Sequence, residues 1–209
     1  IPDFLISAPS QIKASAGFDA IAQALESLVS KKSNNQSVEF ALKSLKISTN
    51  SFIPFLKDPN MKNATEMSIA SNLAGKAINI SKTTVPHAVS YPFTSLYNIS
   101  HGHAVSLFFE NFFKFNYDNL EKSETNFNLK KRFDLIFNFF DVKNIDDFCS
   151  KIILIKEKAN LEDNLSKLNI NIKNDIDNII TGVNLLRLGN NPVRINDKSI
   201  LRVISNSNN

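Results

Sequence analysis

The sequence predicts an all-α domain, and three observations carry that prediction. Apolar residues recur at helical spacing along most of the chain. No stretch sustains the alternation of apolar and polar residues, bounded by turns, that marks a strand. The interruptions fall at polar clusters of Asn and Asp and at Pro and Gly, which punctuate helices.

The first apolar stripe follows Ala14-Ser15-Ala16-Gly17 and runs through Ile21, Ala24, Leu25, Leu28 and Val29. Asp19 and Gln23, one helical turn apart, share a neighbouring face. A polar loop from Ser33 to Gln36 precedes a second helix that starts at Ser37 and carries Val38, Ala41, Leu42 and Leu45. Pro54, Asp58-Pro59 and Asn60 are expected to break the chain. A third helix covers about 64–80, and its small residues Ala70, Ala74 and Ala77 allow close approach, which predicts a central position. Thr83 or Thr84 then caps a new helix. Pro86 suits its first turn, where a missing N–H is no loss, so His87 belongs to that turn. From Tyr91-Pro92 through Ser100 a loop is expected, and after Gly102 a Phe-rich helix over 104–116. Further helical segments fall near 128–140, 145–155, 161–168, 174–183 and 199–204, with a break at Gly189-Asn190-Asn191-Pro192.

At 209 residues, the chain reads as a single helical domain, 1–209, with length enough for a real core. Its 43% hydrophobic and 21% charged content is ordinary for a soluble globular protein. The net charge of +4 arises from lysines scattered among acids, not from a basic stripe, which argues against nucleic-acid binding. A single cysteine, Cys149, excludes an intramolecular disulfide and a cysteine-rich zinc site, and reads as a small buried apolar residue. No run approaches the roughly 20 apolar residues of a membrane span. The start, Ile1-Pro2-Asp3-Phe4, lacks the basic flank of a signal peptide, so a cytoplasmic location is expected. Only five glycines occur, and no Gly-rich phosphate loop can be written from them. With no Met at its start, the chain reads as a fragment of a longer protein whose nucleotide loop, if it has one, lies elsewhere.

The chemistry concentrates in the histidines, all three of which (His87, His101 and His103) fall within seventeen positions. Taken singly, each reads as a hydrogen-bonded core residue, and an Asp/Gln pair one turn apart is common on solvated helix faces. The flanks of Asp19 are apolar or small, however, and a charge in such surroundings needs a partner. His87 and His101 lie at predicted helix starts around one loop and can converge. Asp19, His87 and His101, with Gln23 as a weak neutral oxygen donor, form a set suited to Fe(II), Zn(II), Mn(II) or Ni(II). Three protein ligands and an open position would make a Lewis acid. Lys82, Thr83 and Thr84 precede a helix N-terminus, where free N–H groups and the dipole favour an anion. The alternative there is a plain cap and a solvated lysine.

Taken together, the runs Gly17-Phe18-Asp19-Ala20, Gln23-Ala24-Leu25-Glu26-Ser27, His87-Ala88 and Tyr97-Asn98-Ile99-Ser100-His101-Gly102 resemble iron-containing alcohol dehydrogenases of the dehydroquinate-synthase-like superfamily. The fourteen positions between His87 and His101 fit that family's pair of histidine ligands, and the tail Arg187-Leu188-Gly189-Asn190-Asn191-Pro192 resembles its C-termini. The resemblance covers nearly the whole chain, most strongly at 14–30 and 64–116 and more loosely at 120–180. It implies the helical, metal-binding C-terminal domain of a two-domain oxidoreductase. The α/β N-terminal domain, absent here, would carry most of the NAD(P) site, and the active site would lie in the cleft between the two. By matching position, Asp19, His87 and His101 would hold Fe(II) or Zn(II). The metal would polarise a small aldehyde, the nicotinamide would deliver hydride, and Tyr91 or His103 would relay the proton. A homodimer or larger assembly is also implied.

Two positions depart from the family pattern. Gln23 stands where many members have His, and Tyr91 stands where many have a further His four residues after the first. The run from Thr83 to Thr94 with His101-Gly102-His103-Ala104-Val105 is similar to the phosphonoacetaldehyde reductases of this family, which makes Lys82, Thr83 and Thr84 candidates for holding a substrate anion. The competing reading is a non-catalytic helical module whose site has decayed and which serves in assembly. Gln23 and Tyr91 are its support.

Overall fold

The computed structural model describes residues 2–206, and among them every regular element is helical. In chain order these are α1 (Pro2–Ser7), α2 (Ser10–Val29), α3 (Asn35–Lys57), α4 (Met61–Ser81), α5 (Val85–Tyr97) and α6 (His101–Ser106). They are followed by α7 (Phe109–Asp118), α8 (Leu129–Phe140), α9 (Ile145–Lys158), α10 (Ile172–Thr181), α11 (Leu185–Leu188) and α12 (Asp197–Asn206). The strand-like pairing among the described residues is one isolated antiparallel bridge, Ser123 to Val193. The all-α class is therefore the one the periodicity predicts. No helix is long and apolar enough to cross a membrane among the described residues.

Asparagines make the breaks because their side chains cap the next helix. Asn34, Asn60, Asn128, Asn144, Asn171 and Asn184 each accept a backbone N–H from the first turn of α3, α4, α8, α9, α10 and α11. Each such cap stabilises its helix by about 1 kcal/mol. The helices bury two adjoining cores. The larger is built on α2, α3 and α4 with aromatic residues of α7, α8 and α9, such as Phe113, Phe133 and Phe148. The smaller gathers Val89 and Phe93 of α5, Phe108 and Phe112, and Ile179, Ile200 and Ile204 of α10 and α12. Ala70, Ala74 and Ala77 are fully buried, and the Ser44 hydroxyl reaches the Ala70 carbonyl at 2.8 Å, so α4 packs closely as expected.

The structure corrects the expected boundaries where packing outweighs a local signal. Pro54 does not break α3, which runs on to Lys57 and buries Phe52 and Phe55. The segment from Tyr91-Pro92 onward is not a loop, because α5 continues through Pro92 to Tyr97. A proline there leaves the Ala88 carbonyl without its helical donor. The backbone N–H of Asn184 supplies one at 3.1 Å, while Phe93 stays buried against Phe108. The single helix expected over 104–116 is two helices, α6 and α7, bent at Leu107 and Phe108. The bend lets Phe108 enter the smaller core while Phe109 and Phe113 remain in the larger. The segment 161–168 forms turns, not a helix, closed by Ile170 N–H to the Leu165 carbonyl at 2.8 Å and by Asn169 in the left-handed region. Helices α1 and α11 have no counterpart in the sequence reading, since each is too short to show a period.

Candidate metal centre

The site forms where α2, from the larger core, meets α5 and α6, which border the smaller one. Gly102 permits the meeting. A Cβ there would overlap the Ser15 carbonyl oxygen of α2 and lie 2.8 Å from Asp19 Cβ. The first turn of α6 can therefore lie directly on α2, and the His103 backbone N–H bonds Ser15 Oγ at 3.1 Å across the contact. His101 is thereby placed beside Asp19.

Asp19, His87 and His101 each present one donor atom to a common point, and the three atoms lie within 4.8 Å of one another. Asp19 Oδ1 is 3.1 Å from His87 Nε2 and 3.9 Å from His101 Nε2. Metal bonds of about 2.0–2.2 Å put neighbouring donors roughly 3–4 Å apart, so the set is close to ligand geometry. The Asp19–His87 approach is not a hydrogen bond. Both atoms are buried, and neither has a hydrogen-bond partner. Burying two unpartnered polar atoms against one another is costly unless a third body takes both lone pairs, which is what a divalent cation does. The donor set therefore fits a metal ion of the Fe(II) or Zn(II) kind.

Glu26 sets the orientation of His87. It is fully buried, and its Oε2 accepts the backbone N–H of Thr84 at 2.6 Å and the Thr84 hydroxyl at 2.8 Å. Its Oε1 faces His87 Nδ1 in a short contact. A carboxylate accepts only, so Nδ1 carries a proton, and Nε2 is the nitrogen at which a metal would take the place of the second one. Burial acts to lower the His87 pKa, but the Glu26 and Asp19 carboxylates outweigh it and take the imidazole up to about 9 without a metal. His101 is pushed down. Burial contributes most, and the charges of His87 and Arg187 add to it against the opposing pull of Asp19.

Some of the expected residues join this centre and others do not. Gln23 sits beside Asp19 and donates Nε2–H to Asp19 Oδ2 at 2.7 Å, so its amide hydrogen, not its oxygen, faces the ligand. Tyr91 lies at the rim. Its ring centroid is 5.8 Å from that of His101, and its hydroxyl accepts Arg187 Nε–H at 2.8 Å. His103, the other residue expected to relay the proton, has its Nε2 on the Glu162 carbonyl at 2.6 Å. The anion cradle expected at Lys82, Thr83 and Thr84 is already taken up within the chain. Glu26 occupies the positive end of α5, Thr83 Oγ1 accepts from Arg187, and the exposed Lys82 bonds the Asn79 carbonyl at 2.8 Å. Thr84 is the N-cap residue, yet its hydroxyl donates to Glu26 and caps nothing.

Three residues that bond around the centre, Glu26, Asn190 and Arg187, are not among the site candidates that the sequence offers. For Glu26 a signal existed, since positions 19, 23 and 26 share one face of α2. Asn190 clamps the turn before α5 through the carbonyls of Ser81 and Thr83, at 2.8 and 2.9 Å, and no local pattern announces that role.

Residues 13–208 match the profile described as Fe-containing alcohol dehydrogenase family, C-terminal. A 4-hydroxybutyrate dehydrogenase of Clostridium kluyveri is 29% identical over 121 residues, 56% of this chain and 33% of that protein. Alcohol dehydrogenase 4 of Saccharomyces cerevisiae is 31% identical over 102 residues, 48% of this chain and 27% of that protein. The crystal structure of a sulfoacetaldehyde reductase from Bifidobacterium kashiwanohense, in complex with NAD+, superposes with a TM-score of 0.85 at 26% identity, covering 99% of this chain and 53% of that one. An iron-containing alcohol dehydrogenase of Thermococcus thioreducens shares the fold with a TM-score of 0.86 at 16% identity. The chain thus spans about half the length of the solved relatives it matches. Its match over nearly all its length places it in the Fe-containing alcohol dehydrogenase family, as a C-terminal domain of that family.

Proposed function

We propose that the whole protein interconverts a small aldehyde and its alcohol with NAD(P)(H), and that Asp19, His87 and His101 hold its catalytic metal, Fe(II) or Zn(II). The convergence of these three donors, with Asp19 Oδ1 and His87 Nε2 buried and unpartnered, carries this reading. A divalent ion held there would supply Lewis-acid polarisation of a substrate oxygen. Glu26 keeps the Nδ1 proton on His87. Gln23 steadies Asp19 through its second oxygen and leaves Oδ1 free. The Tyr91 hydroxyl oxygen accepts from Arg187, so its own proton remains available to hydrogen-bond, or to pass to, an oxygen in the cleft. NAD(P) would be bound mainly by the half of the relatives' length that this chain does not span.

An anionic aldehyde, a phosphonate among them, is the substrate class we favour. Two relatives are named for sulfonate- or carboxylate-bearing substrates, sulfoacetaldehyde and 4-hydroxybutyrate. The test is metal content and turnover of the full-length protein with NADH or NADPH and short aldehydes. Asp19→Ala combined with His87→Ala should abolish both. Turnover and bound metal that survive the double substitution would sink the reading and favour a helical module without a working site.

A further inference from the structure

Arg187 sits beside the metal centre with its charge uncompensated. It is half-buried on α11, its Nε–H is given to the Tyr91 hydroxyl and one Nη1–H to Thr83 Oγ1. Its guanidinium carbon lies 5.8 Å from the centroid of the Tyr91 ring, whose other neighbour is His101. Among the described residues no carboxylate lies within 4 Å of it, whereas Glu26 and Asp19 are both engaged with the histidines. An unpaired cation next to ligands that themselves gather a cation is electrostatically unfavourable. The two bonds to Tyr91 and Thr83 nonetheless fix the fork in place and leave its remaining N–H groups without an acceptor among the described residues.

We propose that Arg187 is the specificity-determining residue of the site, receiving the anionic group of a short aldehyde whose carbonyl oxygen lies at the Asp19–His87–His101 centre. The inference rests on the reading of the whole protein as an aldehyde reductase. A planar fork with free N–H pairs matches the oxygens of carboxylate, sulfonate or phosphonate. Two-point capture, the carbonyl at the centre and the anion at Arg187, orients the substrate at the reacting carbon. This role transfers the anion site from the N-terminus of α5, which Glu26 already occupies, to the guanidinium that Thr83 and Tyr91 hold beside it.

The test uses the full-length, metal-loaded protein and compares succinate semialdehyde with butanal, an uncharged aldehyde of equal carbon number. Wild type should favour the anionic substrate in kcat/KM. Arg187→Gln should reduce the ratio of the two kcat/KM values by about 10- to 100-fold, the worth of a hydrogen bond to a charged group. Arg187→Lys, which keeps the charge but loses the fork, should retain part of the preference, and the KM for NAD(P)H should not rise in either variant. A wild type with no anionic preference overturns the inference without needing any variant. So does an equal loss on both aldehydes, or a raised NAD(P)H KM with the preference intact, which would assign Arg187 to the cofactor. Bound metal with no turnover of either aldehyde would instead overturn the underlying functional reading, and this inference with it.

Discussion

Glu26→Gln keeps the shape of the side chain and removes its charge where three donors converge. In the wild type, Oε2 takes the N–H and hydroxyl of Thr84 and Oε1 takes Nδ1–H of His87. An amide has one oxygen for these donors. If that oxygen stays with Thr84, the NH2 group faces Nδ1, which must then accept, and the His87 proton moves to Nε2, the atom that faces Asp19. If it turns to His87 instead, the NH2 group confronts the buried N–H of Thr84. The first arrangement puts a proton on the atom that would face the metal, and the second leaves a buried donor mispaired, at about 1–3 kcal/mol. Loss of the partner that orients a ligating histidine lowers metal affinity by about 10- to 100-fold, or about 1.4–2.7 kcal/mol. Glu26→Ala would strand all three donors at about 3–9 kcal/mol, against a total stability of about 5–15 kcal/mol, so it tests folding more than metal binding. The assay is competition for Zn(II) or Fe(II) against a chelating indicator, with thermal unfolding of the metal-free protein in parallel. A dissociation constant within about twofold of wild type in a folded Glu26→Gln protein would refute the argument that Glu26 selects the His87 tautomer.

Three further outcomes are expected. Lys82 has φ 61° and ψ 175°, a backbone region that suits glycine, and its side chain bonds only the neighbouring Asn79 carbonyl. Lys82→Gly should stabilise the protein by about 1 kcal/mol, read as a higher Tm, without changing the KM for an anionic aldehyde. Gly102→Ala should push α6 off the Ser15 carbonyl and separate His101 from Asp19. Metal affinity would fall about tenfold or more in a chelator competition, and an unchanged affinity would show that the close approach is not needed. Burial pushes the Cys149 thiol up to about 12 from a usual value near 9. It should therefore resist a thiol reagent at pH 8 until the protein is unfolded. The unfolded thiol ionises first, so the native state binds the extra proton between those values, and this group's contribution to stability is lost as pH rises from about 9 to about 12.

What could be read from the chain was what is local. Helical period, the capping preference of Asn and the first-turn position of Pro86 each act within a few residues, and they predict the class, most of the breaks and the placement of His87. Asp19, His87 and His101 stood out because each lies in a short recognisable run. Boundaries failed where a distant partner outweighed a local signal. Pro92 stays inside α5 because Asn184, far along the chain, supplies the donor that the Ala88 carbonyl lacks. His103 has the look of a site residue in sequence, and nothing near it in the chain announces its bond to the Glu162 carbonyl.

The tertiary structure alone decided which charges face one another. Glu26 meets Thr84 across 58 positions, and Arg187 meets Thr83 across 104. Neither pairing has any periodicity to betray it, because each follows from how α2, α5 and α11 pack and not from the run in which the residue sits. Local pattern along the chain specifies a helical domain with an Asp–His–His set able to hold a metal. Packing determined that Glu26, and not a substrate, occupies the helix end beside that set. It also leaves Arg187, held by Tyr91 and Thr83, without a carboxylate partner among the described residues.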